Sequence, residues 1–421
     1  MLVWIYDNIA RILSSIFALI TFTSMCNAAM IPPTAVRSPD VMDYQAGLRA
    51  ETQHHFGAAM ALLKKAAKAG NSEAKFQIGK LYAKGWGVPL DYQVAMSWYR
   101  KAAAAGNAKA ALRIGGMYEM GLGTKQNLGT AALWFAKSAM MGDRAGVKQL
   151  GSLCKNKEFS AKSRRRVLTT IHTSAVAGNT GAMLALASLY GNGRLVPKDS
   201  GKAINWEKKA ARAGSSKAML SLAIYYEFGN HPNIGTAMVW YHKAAASGNA
   251  FAMMRIGNMY MIGQGVPRNY HKAMLWLRKA AASGNAVAMS VAIDGISVMY
   301  ECGEGVPRNY HKAMIWMRKA AAHGDAWAMS GIGDMYVGGM GVPQNSLRGI
   351  DWYKMAAARG NTFAMEKIAD LYSIGGFGVP KSYRRAEKWY RKAAAEGDSA
   401  AKSNLARLQA KRDAGNSNLH R

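Results

Sequence analysis

The sequence predicts an all-α solenoid in which about nine to ten helix-turn-helix units, with a period near 36 residues, stack on one another. Three observations predict it. Trp98, Trp134, Trp206, Trp240, Trp276, Trp316, Trp352 and Trp389 share one local context, and they lie 34–40 residues apart except for a gap of 72 that equals two units. Tyr82, Tyr118, Tyr190, Tyr226, Tyr260, Tyr300, Tyr336 and Tyr372 keep the same phase, with Cys154 in the missing place. The stretch "GVPRNYHKAMLWLRKAAASGNA", Gly265 to Ala286, returns as "GVPRNYHKAMIWMRKAAAHGDA", Gly305 to Ala326, as expected of a duplicated unit.

One unit shows why the period implies paired helices. "AKFQIGKLYAKG" (Ala74–Gly85) has apolar residues at helical spacing and stops at glycine. "WGVPLD" follows as a turn. "YQVAMSWYRKAAAAG" (Tyr92–Gly106) is a second helix, with Val94, Met96, Trp98 and Tyr99 apolar and a glycine stop. Neither helix can bury its apolar stripe alone, so units must stack. No stretch alternates with the period of a strand.

In chain order, residues 1–28 read as a signal peptide or an uncleaved anchor. The apolar run "ILSSIFALITFTSM" (12–25) follows Arg11 and leads to small residues at Ala28 and Ala29. Residues 29–40, with two adjacent prolines, read as a linker, and 41–410 as the repeat array. The unit at 146–181 is degenerate. It lacks the Gly-x-Gly-Val turn and the tryptophan, and Thr170 stands in the tryptophan's place. It concentrates Lys155, Lys157, Lys162, Arg164, Arg165 and Arg166. "AMSVAIDGISVMY" between the duplicated stretches is four residues longer than "AMSGIGDMY", which adds about one turn to a helix. Residues 411–421 read as a polar tail.

The phased pattern AxxxxGxxYxxGxGVxxxxxxAxxWYxKAAxxGxxxA, carried almost throughout by "AKFQIGKLYAKGWGVPLDYQVAMSWYRKAAAAGNAKA", resembles the Sel-1-like repeat, a relative of the tetratricopeptide repeat. The resemblance covers about residues 55–408. The first unit, with its shorter join, looks more like a tetratricopeptide repeat. The resemblance implies a right-handed α/α superhelix acting as an adaptor or assembly scaffold, and many bacterial members are exported.

Composition narrows the function further. The net charge is +31, from 55 Lys and Arg against 24 Asp and Glu, which favours an acidic partner. Lys and Arg late in the second helices, such as Arg278 with Lys279, oppose the helix dipole and account for part of that excess. Three dispersed cysteines make neither a disulfide framework nor a CxxC site. No metal-ligand spacing, nucleophile elbow or phosphate loop occurs, so neither a cofactor nor an enzymatic activity is expected. The expected function is a non-enzymatic, exported scaffold, periplasmic or secreted, that binds protein. The alternatives are a nucleic-acid-binding repeat protein, which export would disfavour, and a contact regulator of a cell-envelope enzyme. Variable polar positions on the first helices are the expected groove contacts: Gln77, Lys80, Arg113, Arg255, Asn258, Asp334, Lys367 and Asp370. Lys162, Arg164, Arg165 and Arg166 are the expected contacts in the degenerate unit.

Overall fold

The computed structural model describes residues 39–229 and 231–417. These form 21 helices and no strand. Consecutive helices pair as hairpins, for example Ser72–Lys84 with Tyr92–Ala104 and Ala250–Ile262 with Tyr270–Ala281. The second helix of each hairpin then packs on the first helix of the next, which makes an α/α solenoid. The core has no single centre. Buried side chains form successive clusters along the chain, one of them running from Met254 to Leu408.

Local chemistry sets the helix ends. Asn107 and Asn249 start first helices by accepting from the backbone N–H of Ala110 and Ala252, and Asn269 and Asn345 start second helices in the same way. These amide oxygens satisfy N–H groups that have no partner inside the helix. The turn then closes on itself: the Asn269 N–H donates to the Tyr260 carbonyl at 2.8 Å, as Asn345 does to Tyr336.

The second glycine of the turn is the joint between units. Gly265 has φ 70°, and a Cβ there would stand 2.0 Å from Cγ2 of Ile234, the first residue of the preceding second helix, Ile234–Ala246. Both backbone conformation and space therefore demand glycine. A second close approach lies inside the hairpin: a Cβ on Gly333 would meet the Tyr353 ring at 2.6 Å. The glycine of the first helix thus makes the seat for an aromatic ring of the second.

Several boundaries differ from the sequence expectation. The leader 1–28 and most of the linker 29–40 lie outside the described residues. The first described helix, Pro39–Thr52, begins inside the expected linker, with proline in the first turn where its missing N–H costs nothing. The last helix, Ser399–Ser417, continues into the expected polar tail, and 418–421 lie outside the described residues. The four-residue insertion lengthens a helix: Ala286–Cys302 has 17 residues where Ala250–Ile262 has 13. Among the described residues no helix is long and apolar enough to cross a membrane.

Candidate interaction surfaces

Most polar groove residues of the first helices are already engaged within the solenoid. Lys80 pairs with Glu51 at 2.6 Å and lies over the Trp86 ring. Gln77 is half-buried beside Tyr44. Asp334 accepts from the Tyr353 hydroxyl at 2.6 Å, and Asp370 accepts from that of Tyr390. Burial first, and the carboxylates second, push both phenols well above their ordinary range, so they act as fixed donors. Lys367 is half-buried over the Phe363 ring, 4.9 Å from its centre. Arg113 alone of this group is exposed.

Two groove expectations are corrected outright. Arg255 is 7% exposed and Asn258 4% exposed, so neither belongs to an open surface. Arg255 forms a salt bridge with Glu227, itself 4% exposed. Its Nε donates to both Glu227 carboxylate oxygens at 3.1 Å, and its Nη2 also donates to Gln264 Oε1 at 3.1 Å. Tyr241 donates its hydroxyl to the same carboxylate. A lone buried guanidinium would be costly, and this network satisfies it. Glu227 escaped the sequence reading because its partner lies on the next unit, a placement that only stacking reveals.

The degenerate unit builds a different surface. Helix Arg144–Leu153 ends early, and Phe159 is buried where the usual turn is missing. Arg164 holds this irregular join. Its Nη2 donates to the Cys154 carbonyl at 2.9 Å, its Nε to the Phe159 carbonyl at 3.3 Å, and its guanidinium covers the Phe159 ring. Arg164 is therefore a structural residue rather than the free contact expected. Lys162, Arg165 and Arg166 are exposed, and on helix Ala161–Val176 they share one open face with Thr169, Thr170, Thr173 and Ser174. Lys155 and Lys157 are exposed as well.

Much of the remaining positive charge is built into the joints. The recurrent tryptophans other than Trp206 are half-buried rather than enclosed; Trp206 is buried, at 9% exposure. In all but Trp352, where Met355 stands instead, a lysine three residues later covers the open face. Lys209 lies 4.2 Å from the Trp206 ring centre, Lys279 4.5 Å from that of Trp276, and Lys319 4.4 Å from that of Trp316. The neighbouring arginine reaches the next unit: Arg100 donates to the Tyr118 hydroxyl at 2.8 Å, and Arg278 and Arg318 to Tyr300 and Tyr336 at 3.2 Å. The W-x-x-K spacing was visible in the sequence, but the arginine–tyrosine link was not. Among the described residues no group of three or more His, Cys, Asp and Glu side chains could hold a metal ion.

The comparisons with known proteins agree with this architecture. The Sel1 repeat family model matches residues 56–71, 72–107, 108–143, 180–215, 216–249, 250–285, 290–325, 328–361 and 362–398. The chain belongs to the Sel1 repeat family. The model passes over residues 144–179, where the degenerate unit lies. A Sel1 repeat protein from Oxalobacter formigenes is 24% identical over 90% of this chain and 98% of its own, with a TM-score of 0.51, which shows a shared fold. A protective antigen present in uropathogenic Escherichia coli strains, displaying an SLR fold, is 26% identical over 88% of this chain and 80% of its own, with a TM-score of 0.49. No curated protein matches the chain. Sel1 repeat proteins generally mediate protein–protein interactions and are typically non-catalytic.

Proposed function

We propose that this Sel1 repeat chain is an exported, non-enzymatic scaffold that holds a protein partner through an acidic surface. The observation that carries the reading is the degenerate unit, where Lys155, Lys157, Lys162, Arg165 and Arg166 stand exposed. No salt bridge among the described residues reaches any of them, whereas joint cations such as Lys279 and Arg278 are engaged by the Trp276 ring and the Tyr300 hydroxyl. A row of uncompensated charge steers an oppositely charged partner and makes its association sensitive to salt. The apolar leader at 12–25 supports export.

The test uses poly-L-glutamate as the acidic probe, followed by fluorescence anisotropy across a salt series. The combined variant Lys162→Glu, Arg165→Glu, Arg166→Glu should weaken binding about tenfold with helix content unchanged. Arg164 is kept, because replacing it would disturb the join. The control reverses the exposed Lys64, Lys65 and Lys68 on helix Phe56–Lys68. Equal loss in both variants would mean that net charge alone binds the probe. For export, the mature chain should begin near Ala29, and an intact Met1 in the cytoplasmic fraction would reject that part.

A further inference from the structure

The turn between helices Thr362–Ile374 and Tyr383–Ala395 is built unlike the others. "YSIGGFGV" (Tyr372–Val379) has one residue more than "YMIGQGV" (Tyr260–Val266). The extra length closes a small hairpin. The Gly376 N–H donates to the Val379 carbonyl and the Val379 N–H to the Gly376 carbonyl, both at 3.0 Å. Phe377 and Gly378 between them have φ 51° and 83°, both in the left-handed region, as a type I′ turn requires. Asparagine or glycine is at ease in that conformation, whereas a bulky side chain is strained.

Packing inside the solenoid does not repay that strain. Phe377 is 73% exposed, and Ile374, which ends its helix, 74%, more than any other large apolar residue among those described. Nor does the turn serve as a joint. A Cβ on Gly265, Gly305 or Gly341 would stand 2.0, 2.1 or 2.6 Å from the first residue of the preceding second helix, whereas one on Gly378 meets nothing within 4 Å. Val379, 4% exposed, fastens the base of the hairpin to the core and leaves the tip outside it. Leu347, 51% exposed near the start of the preceding second helix, adds apolar surface on the same edge of the solenoid.

The charge around the tip has one sign. From Leu371 to Ala386 the chain holds Lys381, Arg384 and Arg385 and no Asp or Glu. All three cations are exposed, and no salt bridge among the described residues reaches them. Lys381 lies over the Tyr383 ring and Arg385 over that of Tyr372, contacts that hold the side chains and leave their charge in place.

We propose that this turn is a membrane-docking tip: Phe377 and Ile374 enter the surface of an anionic lipid bilayer, while Lys381, Arg384 and Arg385 meet its headgroup phosphates. Charge complementarity and the order of the groups select that occupant. The apolar side chains lead and the cations stand behind them at the base of the turn. A bilayer is layered to match, with phosphates outside and acyl chains within, and it needs no pocket shaped for one ring. The strain at Phe377 then has a use, since it fixes the ring at the outermost point of the turn. The inference does not depend on the acidic-partner reading of the degenerate unit.

The test sediments the chain from Ala29 to Arg421, whose solenoid is a compact unit of its own, with vesicles of phosphatidylcholine alone or mixed with phosphatidylglycerol. Binding to the mixed vesicles is expected, reduced but not abolished by high salt, because apolar insertion is not screened. Phe377→Asn should weaken it about tenfold and leave only the salt-sensitive part. Asparagine suits φ 51°, so the melting temperature should hold or rise, whereas a packing role for Phe377 would lower it. Lys381→Gln with Arg384→Gln should also weaken binding about tenfold. Val176→Asn, at a 68% exposed site on the opposite edge, should change nothing. Failure to bind the mixed vesicles would overturn the proposal. So would an equal loss in Val176→Asn. Binding that survives Phe377→Asn but is lost in Lys162→Glu, Arg165→Glu, Arg166→Glu would also overturn it, by assigning the lipid contact to the degenerate unit.

Discussion

Glu227 should be among the most sensitive single positions in the solenoid. Truncation in Glu227→Ala strands two groups at once. Arg255, 7% exposed, keeps only Gln264 as an acceptor, and the Tyr241 hydroxyl, which is fully enclosed, loses its own. Removing one member of a buried ion pair costs about 3–5 kcal/mol, and a stranded buried hydroxyl costs about 1–3 kcal/mol. The two penalties share one network and so do not simply add, which puts the expected loss at about 4 kcal/mol. Glu227→Gln retains an acceptor for Tyr241 and should cost about half as much. The double replacement Glu227→Leu with Arg255→Met removes both charges and should recover most of the loss, because the penalty lies in the unpaired ion. Urea unfolding followed by far-ultraviolet circular dichroism measures the change. Hydrogen exchange should localise it to helices Ser216–Phe228, Ile234–Ala246 and Ala250–Ile262, since coupling in a solenoid runs between neighbours. A loss below about 0.5 kcal/mol for Glu227→Ala would refute the argument, because surface substitutions typically fall in that range. A double variant as unstable as the single one would refute it equally.

Three further outcomes follow from the same geometry. Trp276 is half-buried under Lys279, so Trp276→Ala should cost about 2 kcal/mol, less than the 3–5 kcal/mol of an enclosed ring, as read by thermal unfolding. Gly265→Ala combines φ 70° with a contact 2.0 Å from Ile234, so it should destabilise by more than about 2 kcal/mol, whereas the unobstructed Gly284→Ala should cost only its backbone strain of about 1 kcal/mol. Burial and Asp334 push the Glu301 carboxyl up to about 7 from an ordinary 4.5, so its protonated form is favoured in the folded state. That stability is complete below about 4.5 and lost as pH rises through about 7, with Asp294 acting in the same direction. Stability should therefore rise as pH falls from 8 to 6, by about 1.4 kcal/mol from Glu301, with melting temperature rising in step, and Glu301→Gln should flatten the profile; an unchanged slope would reject the assignment.

The sequence by itself determined the repeat. Its period, the paired helices, the capping asparagines and the turn glycines all depend on residues inside one unit or at its immediate border, and such local constraints recur visibly in phase. The lysine over all but one of the recurrent tryptophans is legible for the same reason, being three residues away on one helix. Tertiary structure decided what each polar groove residue does. Arg255 and Asp334 occupy comparable variable positions in the sequence, yet one is sealed beneath Glu227 of the preceding unit and the other takes a proton donor from Tyr353. Arg164 and Arg165 are adjacent in the chain, yet one fastens an irregular join and the other stands on the open face of its helix. Burial and partnership depend on groups 10 to 28 residues distant, brought within hydrogen-bond reach by the irregular join, the hairpin or stacking.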